Sequence, residues 1–539
     1  MKTKSSPHRE IIEMKRSGKM IQKQEHSEEY LSTHAGTYRR TELEIKKKEE
    51  PLTILQDITF ARVPYWFPNF HYKALKMNLV CPFHPEEGKR YPVIVWICGG
   101  AWITMEKSAH LPFWTELARK GYIIASVEYR MSSTKHFPAQ LEDVKSAIRY
   151  LRAHAEEFHI DPERIAAAGE SAGGHLAALA GVTGDRKEFD VGENLEMSSR
   201  VQAVLDFYGP ADFLSHAAEE NEEKPESEEK PEFLMGPSPV EMLLGYAPEK
   251  QPEKARLAAA LSYVNPDTPP FYIIHGTADP IVPVEGSRNL AKKLEENGCS
   301  VRLVEINDAV HADPRIYQKE TRDEIEAFLK RVFAEPALPF QERVRMDRAI
   351  REPFLTMLEN VVFAQTPYWF PYYNYKDLDL DLLLPVWGKE GEKHPLLVWI
   401  CGGAFLTMEK AAYLPWLMYF ARAGGYLASM TGLTNDRKEY EVGEYPEESS
   451  HVDAVIDFYG PADSAAYGNV TKDAPPFFMA HGTGDTLVDC KGSDEFYEEL
   501  KKNGIPVEYF VVKDAPHMGM EFYQKEMADR ILGFLDRNL

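Results

Sequence analysis

The sequence predicts an α/β fold in which a mostly parallel sheet carries helices on both faces. Short apolar runs rich in β-branched residues, the pattern of buried strands, recur along the chain: VIVWICG (93–99), YIIASVEY (122–129), RIAAAG (164–169), VQAVLDFYG (201–209), FYIIHG (271–276) and VRLVEI (301–306). Between them lie segments with helical spacing, such as 139–158, where one face collects Leu141, Val144, Ile148 and Leu151. Strands that alternate with helices form parallel sheets, and their chemistry lies at the carboxyl ends of the strands.

Composition and charge exclude several classes of partner. The chain has 539 residues and a formal net charge of −23, which would repel nucleic-acid backbones and anionic membranes. It has no apolar run near the roughly 20 residues of a membrane helix, and its first 20 residues lack the apolar core of a secretory signal. The five cysteines show no CxxC spacing, so we expect no disulfide framework and no metal site. These features predict a cytoplasmic protein with no nucleic-acid or membrane partner.

A tandem repeat with missing pieces organises the chain. VIVWICGGAWITMEK (93–107) returns 303 positions later as LLVWICGGAFLTMEK (396–410). From Ala423 the pairing switches to Ala172, an offset of 251, so the second copy lacks 303 − 251 = 52 residues. HGTGD at 481 pairs with HGTAD at 275, an offset of 206, so a further 251 − 206 = 45 residues are absent.

The repeat suggests four segments. Residues 1–50 read as a charged tail, partly helical or disordered, and residues 51–335 as a complete copy. Residues 336–353 read as a linker, and residues 354–539 as a shortened copy.

The motif GESAGG (169–174) directly follows the predicted strand RIAAAG and precedes a helical segment. A serine at such a sharp strand-to-helix turn has strained backbone geometry, and the glycines at 169 and 173 avoid steric clashes there. We therefore expect Ser171 to be a nucleophile, with Gly169 and Gly173 forming its turn. Glu170 and His175, which flank it, are assigned to packing rather than catalysis.

A serine hydroxyl needs a base to take its proton. Asp279 follows the strand FYIIHG and His311 follows the strand VRLVEI, so both lie just past strand ends. The chain order Ser, Asp, His is the order of an α/β-hydrolase triad. Asp308 is a rival carboxylate, but it stands too near His311 in sequence for the usual arrangement.

The reaction also needs donors for the oxyanion of a tetrahedral intermediate. CGGAW (98–102) follows the strand VIVWI with small residues that leave backbone N–H groups accessible. We assign the oxyanion hole to the N–H of Gly99 or Gly100 together with that of Ala172. Cys98 stands in an apolar strand context, which favours a buried, inert thiol.

Together these residues resemble the α/β-hydrolase superfamily, in particular its hormone-sensitive-lipase-like enzymes and bifunctional feruloyl and acetyl-xylan esterases. The resemblance covers nearly all of 51–335 through FPAQLEDVKSAIRYLRAH, IDPERIAAAGESAGGHLAAL, DFYGPADF and HGTADPIVP. It implies a serine esterase with Ser171, Asp279 and His311 as the triad, no metal, no organic cofactor, and a cap at 213–257. Where that family usually has His-Gly-Gly, this chain has Cys-Gly-Gly at 98–100.

The shortened copy keeps Asp485 and His517 but has lost the nucleophile, because Arg422 stands where Ser171 stands in the first copy. In the strand order that the resemblance implies, its strand LLVWI (396–400) also loses both neighbours. Unpaired backbone and exposed apolar faces cost free energy, so we expect this copy to rearrange, or to dock on the first copy or on another chain. A decayed duplicate without a role, or a faulty gene model, is the alternative.

The resemblance implies hydrolysis of short acyl esters of the acetyl type, perhaps on carbohydrates, with a small-molecule ester as the substrate. Two alternatives stay open at this point. One is amide hydrolysis, for example by an arylformamidase, and the other is a non-catalytic ligand-binding protein of the same fold.

Overall fold

The computed structural model describes residues 38–48, 50–67, 70–214, 237–334, 339–370, 373–386, 396–400, 411, 414–422, 451–460 and 470–539. Within them the strands, in chain order, are β1 (Tyr38–Leu43), β2 (Leu52–Phe67), β3 (Phe70–Pro82), β4 (Tyr91–Ile97), β5 (Ile123–Val127), β6 (Ile160–Glu170), β7 (Ala203–Phe207), β8 (Phe271–Gly276), β9 (Val301–Ile306), β10 (Gln341–Met346), β11 (Leu355–Phe370), β12 (Tyr373–Pro385), β13 (Val455–Phe458), β14 (Phe477–Gly482) and β15 (Val507–Val512).

The α-helices of the same residues are α1 (Leu111–Ala118), α2 (Ala139–Ala153), α3 (Ala172–Val182), α4 (Pro239–Leu244), α5 (Pro252–Leu257), α6 (Val284–Glu296), α7 (Lys319–Ala334), α8 (Leu414–Arg422), α9 (Cys490–Lys502) and α10 (Lys525–Asn538). Across these described ranges, no helix combines the length and the apolar character needed to cross a membrane.

The first half of the chain, residues 51–335, builds a large twisted sheet. Its strand order is β2-β3-β5-β4-β6-β7-β8-β9, with β10 added at the far edge. All neighbours pair in parallel except at β2 and β3, which form an antiparallel hairpin that pairs with β5. The six predicted strands all occur, and the central strand β4 is paired on both sides, by β5 and β6.

Apolar side chains cover both faces of this sheet. On one face Val93, Val95 and Ile97 of β4 pack with helices α2 and α3, and these side chains are fully buried. On the other face Ile94 and Trp96 pack with α1 and α7. Strands buried on both faces are expected in a parallel sheet, and they explain why these runs are continuously apolar rather than alternating.

In the described part of the second half, residues 354–539, the strands form a hairpin and a smaller sheet. β11 and β12 form an antiparallel hairpin whose register breaks fall 303 positions after those of β2 and β3. A separate parallel sheet has the order β1-β15-β14-β13. Residues 396–400, the predicted strand LLVWI, form no regular strand, and the side chains of Leu396 and Ile400 are 63% and 49% exposed.

The prediction for the tail and the linker was wrong at two places, because each contains an edge strand. β1, from the segment predicted as a charged tail, pairs in parallel with β15 of the second half. β10, from the predicted linker, pairs in parallel with β9 of the first half. Gln341 stands 303 positions after Tyr38, which is the offset of the repeat. β1 and β10 therefore occupy corresponding places in the sequence, and each pairs with a strand of the opposite half. Charged residues on the exposed faces of both strands hid the alternating pattern.

The two halves share one hydrophobic core. A single cluster of buried side chains runs from Trp96 and Trp114 of the first half to Trp416, Phe478 and Phe510 of the second. The contacts are reciprocal, because α1 packs on β11 while α8 packs on β2. Burial of large apolar side chains is the main favourable term in folding, so this core couples the stability of the two halves.

Phe478→Ala tests that coupling. The side chain is fully buried in the shared core. Its truncation should cost about 3–5 kcal/mol through lost burial and the cavity left behind. We expect one unfolding transition by circular dichroism, shifted to lower temperature, and a loss of catalytic activity at the same lower temperature. Two separate transitions, with the activity midpoint unchanged, would show that the halves unfold independently.

Candidate active site

The turn after β6 carries Ser171 in strained backbone geometry. Ser171 has φ 49° and ψ −119°, outside the regions that most residues with a side chain adopt. A Cβ at position 169 would lie 2.3 Å from the Gly173 carbonyl oxygen, and one at position 173 would lie 1.9 Å from the Ile97 carbonyl oxygen. Both glycines therefore stand where a side chain cannot fit, as the sequence motif predicts.

The structure brings together the three residues predicted as a triad. His311 Nε2 lies 3.0 Å from Ser171 Oγ, and His311 Nδ1 lies 2.7 Å from Asp279 Oδ2. Ser171 follows β6, Asp279 follows β8 and His311 follows β9, so the three meet at one edge of the sheet. This is the edge at which parallel sheets place their chemistry.

The surroundings of Asp279 favour the ionised form of its carboxyl group and hold that group in one orientation. Burial alone would raise the pKa of Asp279, but hydrogen bonds from His275 and His311 outweigh burial and hold the pKa well below its ordinary value. Its Oδ1 accepts the N–H groups of Ile281 and Val282, each at 2.9 Å. An ionised carboxylate only accepts hydrogen bonds, so Nδ1 of His311 donates and Nε2 is left to accept the Ser171 hydroxyl proton.

His275 is a supporting residue that the sequence reasoning did not assign. It is fully buried, its Nε2 donates to the Val282 carbonyl oxygen at 2.8 Å, and its Nδ1 lies 2.7 Å from Ser287 Oγ. The same Nε2 lies 3.4 Å from Asp279 Oδ2. The signal was present in the motif HGTADPIVP, where His275 stands four positions before the aspartate.

The predicted oxyanion turn at 98–102 lies beside the nucleophile, but one predicted donor is already engaged. The N–H of Gly99 donates to Glu170 Oε1 at 3.3 Å, so it points to that carboxylate. Gly100 has φ +116°, and a Cβ there would lie 2.1 Å from the Thr104 carbonyl oxygen, so only glycine fits. Because the Gly99 N–H is engaged, the N–H groups of Gly100 and Ala172 are the other two predicted donors.

Glu170, which was assigned to packing, is the centre of a buried hydrogen-bond network. Tyr208 and Tyr317 donate their hydroxyls to Glu170 Oε2 at 2.6 and 2.7 Å, and His110 Nδ1 lies 3.3 Å from Oε1. Burial alone would raise the pKa of Glu170, but His110 and the donated hydrogen bonds more than offset it and lower the pKa. The Tyr208 ring also lies 4.8 Å from the His311 ring, so the network reaches the triad.

The remaining candidates are engaged in other contacts. Cys98 is buried, burial raises the pKa of its thiol, and Sγ contacts the Lys107 carbonyl oxygen at 3.6 Å. Asp308, the rival carboxylate, has its backbone N–H bonded to Thr277. His175 is fully buried, and burial lowers its pKa to about 4, so it is a neutral packing residue.

The second half retains part of the same arrangement. His517 Nδ1 lies 2.7 Å from Asp485 Oδ2, as in the first half. The segment that follows Arg422 and the segment CGGAF (401–405) lie outside the described residues. Of the predicted cap at 213–257, residues 215–236 also lie outside them, while α4 and α5 form the described part.

The strand order of the first half, with Ser171, His311 and Asp279 hydrogen-bonded at its carboxyl edge, defines an α/β-hydrolase fold. Residues 79–294 match the family described as BD-FAE. Residues 415–539 match the prolyl oligopeptidase family.

The named relatives include two bacterial esterases. Esterase LipC of Mycobacterium tuberculosis is 32% identical over 225 residues, covering 41% of this chain and 53% of LipC. The probable carboxylic ester hydrolase LipM of the same organism is 34% identical over 212 residues, covering 38% of this chain and 45% of LipM. The chain thus spans about half the length of these relatives. A solved structure titled as a truncated form of a carbohydrate esterase from gut microbiota is 26% identical, with a TM-score of 0.44, and covers 53% of this chain and 99% of its own.

Asp279→Asn tests the role of the carboxylate. An amide at this position can hold the wrong tautomer of His311, which then no longer accepts the Ser171 proton. Catalysis in triad enzymes falls about 10⁴-fold after this change, and we expect a drop in kcat of that order with the fold unchanged by circular dichroism. A drop of less than 10-fold would mean that Asp279 does not orient the base.

The lowered pKa of Asp279 also predicts a pH dependence of stability. A carboxyl whose pKa is lower in the folded protein than its ordinary value near 3.9 stabilises the fold above that value, and the stabilisation is lost as the pH falls. The free energy of unfolding of the wild type, minus that of Asp279→Asn, should therefore be largest near pH 7 and shrink below about pH 4. Urea unfolding at a series of pH values measures this difference, and a difference that grows on acidification would refute the assignment.

Proposed function

We propose that the chain is a serine carboxylesterase that hydrolyses short acyl esters through an acyl-enzyme at Ser171. The observation that carries the proposal is the continuous hydrogen-bonded path from Ser171 Oγ to His311 at 3.0 Å and from His311 to Asp279 at 2.7 Å. The names of the relatives LipC and LipM support an ester as the substrate class.

In the acylation step, His311 Nε2 takes the Ser171 proton while Oγ attacks the ester carbonyl carbon. Asp279 holds the imidazole and stabilises its positive charge. The carbonyl oxygen becomes an oxyanion, and the N–H groups of Gly100 and Ala172 donate to it. Collapse of the intermediate breaks the bond to the alcohol, which leaves with the proton from His311, and the acyl group stays on Ser171.

Deacylation repeats these steps with water. His311 takes a proton from water, whose oxygen attacks the acyl carbon, and then returns the proton to Ser171 Oγ as the carboxylic acid leaves. The chemistry uses groups of the first half alone. The second half, which we interpret as a truncated copy of the first, is therefore assigned no catalytic step.

We further propose acyl groups of the acetyl type on carbohydrate or similar alcohols as the substrate. The resemblance to acetyl-xylan esterases supports this choice, and so does the match of 79–294 to the BD-FAE family. A panel of p-nitrophenyl esters from acetyl to octanoyl, followed by acetylated xylo-oligosaccharides, tests it. The highest kcat/KM should fall at acetyl or propionyl. A maximum at octanoyl, or higher activity on N-formyl anilides, would contradict it.

Matched histidine variants test which half is catalytic. Both His311 and His517 contact an aspartate at 2.7 Å, but Ser171 is hydrogen-bonded to His311. We expect Ser171→Ala and His311→Ala each to lower the kcat for p-nitrophenyl acetate at least about 10³-fold, because each removes a triad member. His517→Ala should stay within twofold of the wild type. If Ser171→Ala keeps residual turnover, and the double variant with His517→Ala loses it, catalysis would lie in the second half instead.

A further inference from the structure

The start of the second half contacts a short loop of the first half. The contacting segment is Phe354–Glu359, and the loop is 107–110, which lies between the oxyanion turn and helix α1. The Met357 N–H donates to the Ala109 carbonyl oxygen at 3.3 Å, and the Phe354 ring lies 5.3 Å from the His110 ring. Lys107 Nζ donates to Glu359 Oε2 at 2.8 Å. The second half therefore contacts three of the four residues of this loop, Lys107, Ala109 and His110.

Glu359 is buried and accepts several hydrogen bonds. Its side chain is 3% exposed, and its Oε1 accepts hydrogen bonds from Asn78 at 2.6 Å and Gln56 at 2.7 Å. Lys107 is buried as well and is also paired with Asp57 at 3.0 Å. A buried charge costs free energy unless it is paired and hydrogen-bonded, so Glu359 and Asp57 together hold the Lys107 ammonium group.

Loop 107–110 contacts the residues around the active site at two points. The Lys107 carbonyl oxygen accepts the Cys98 thiol at 3.6 Å, immediately before the oxyanion glycines. His110 Nδ1 lies 3.3 Å from the carboxylate of Glu170. The same carboxylate accepts the Gly99 N–H at 3.3 Å and precedes Ser171 in the chain. The contacts of the second half thus reach the oxyanion turn through one loop.

The Phe354 ring adds a further contact to this network. It stacks on the Tyr317 ring at 4.4 Å, and the Tyr317 hydroxyl donates to Glu170 at 2.7 Å. The ring therefore packs against two of the residues that surround Glu170, His110 and Tyr317. Small displacements of groups that hold a transition state lower rates strongly, so packing at this place can act on the reaction.

We propose that the second half is a positioning element for the active site of the first, acting through Phe354 and Glu359 on the oxyanion turn. This inference rests on the proposed esterase function. It gives the half without a nucleophile a role that a decayed duplicate would not have. Glu359 and Phe354 are positioning residues, because neither contacts the reacting atoms.

Glu359→Ala tests the proposal in the full-length protein. Loss of the carboxylate removes one of the two ion pairs of Lys107 and one of the two acceptors of Asn78, so the oxyanion turn should be held less precisely. Loss of one oxyanion donor lowers kcat about 10²–10³-fold, and misalignment should cost less, about 10-fold, with KM within twofold of the wild type. The kcat is calculated per active site, with sites counted by the burst of p-nitrophenol from a p-nitrophenyl phosphonate. A trifluoromethyl ketone, which forms an oxyanion on binding, should bind about 10-fold more weakly in the same variant.

Asp381→Ala is the matched control. Asp381 is another carboxylate of the second half at this interface, and it accepts hydrogen bonds from Gln56 at 3.1 Å and from the Asn360 N–H at 3.0 Å. Asp381 makes none of the three contacts to segment 107–110 described above, so the kcat per site of Asp381→Ala should stay within twofold of the wild type. Phe354→Leu keeps an apolar side chain but loses the stacking, and should lower kcat per site about threefold.

The outcomes separate the two claims. If the wild type shows no turnover that depends on Ser171, the proposed esterase function fails. If the wild type is active but Glu359→Ala and Phe354→Leu keep the wild-type kcat per site, the positioning role is wrong. This holds even if the p-nitrophenol burst shows a smaller fraction of active sites in the variants. An equal loss of kcat in Asp381→Ala would also overturn it, because the effect would then belong to the whole interface. Should Glu359→Ala fail to fold, Phe354→Leu alone decides.

Discussion

The structure depends on an exchange of edge strands between its two halves. β1 comes from the segment before the first half and completes the sheet of the second, while β10 comes from the segment before the second half and completes the sheet of the first. Each exchanged strand carries a row of main-chain hydrogen bonds that the receiving sheet would otherwise leave unpaired. The chain is therefore built like a pair of subunits that swap an element, joined into one polypeptide.

The exchange also bears on how the sheet of the second half is completed. Among the residues that the structure describes, the segment 396–400 forms no regular strand, and β13, β14 and β15 form one sheet with β1. Part of the apolar surface of the second half packs against the first half, through α8 on β2 and through the core that both halves share. The described residues of the second half are thus stabilised in part by their contacts with the first half.

Much of the active site could be predicted from the sequence, because its signals are local. GESAGG predicts the strand-to-helix turn that carries Ser171, and Asp279 and His311 each follow a recognisable buried strand. The network around Glu170 could not be predicted, because Tyr208, Tyr317 and His110 come from separate segments that only the fold brings together. β1 and β10 were missed for another reason. Their exposed faces are rich in arginine and glutamate, which resembles a solvated tail, and their partners lie in the opposite half of the chain.

The central claim is that one active site, at Ser171, serves the whole chain while the second half supports it. Intact mass spectrometry after reaction with a p-nitrophenyl phosphonate, followed by peptide mapping, tests this claim most directly. The account predicts one adduct per chain, on the peptide that contains Ser171, and none on Ser171→Ala. Two adducts per chain, or a single adduct on a residue of the second half, would contradict it.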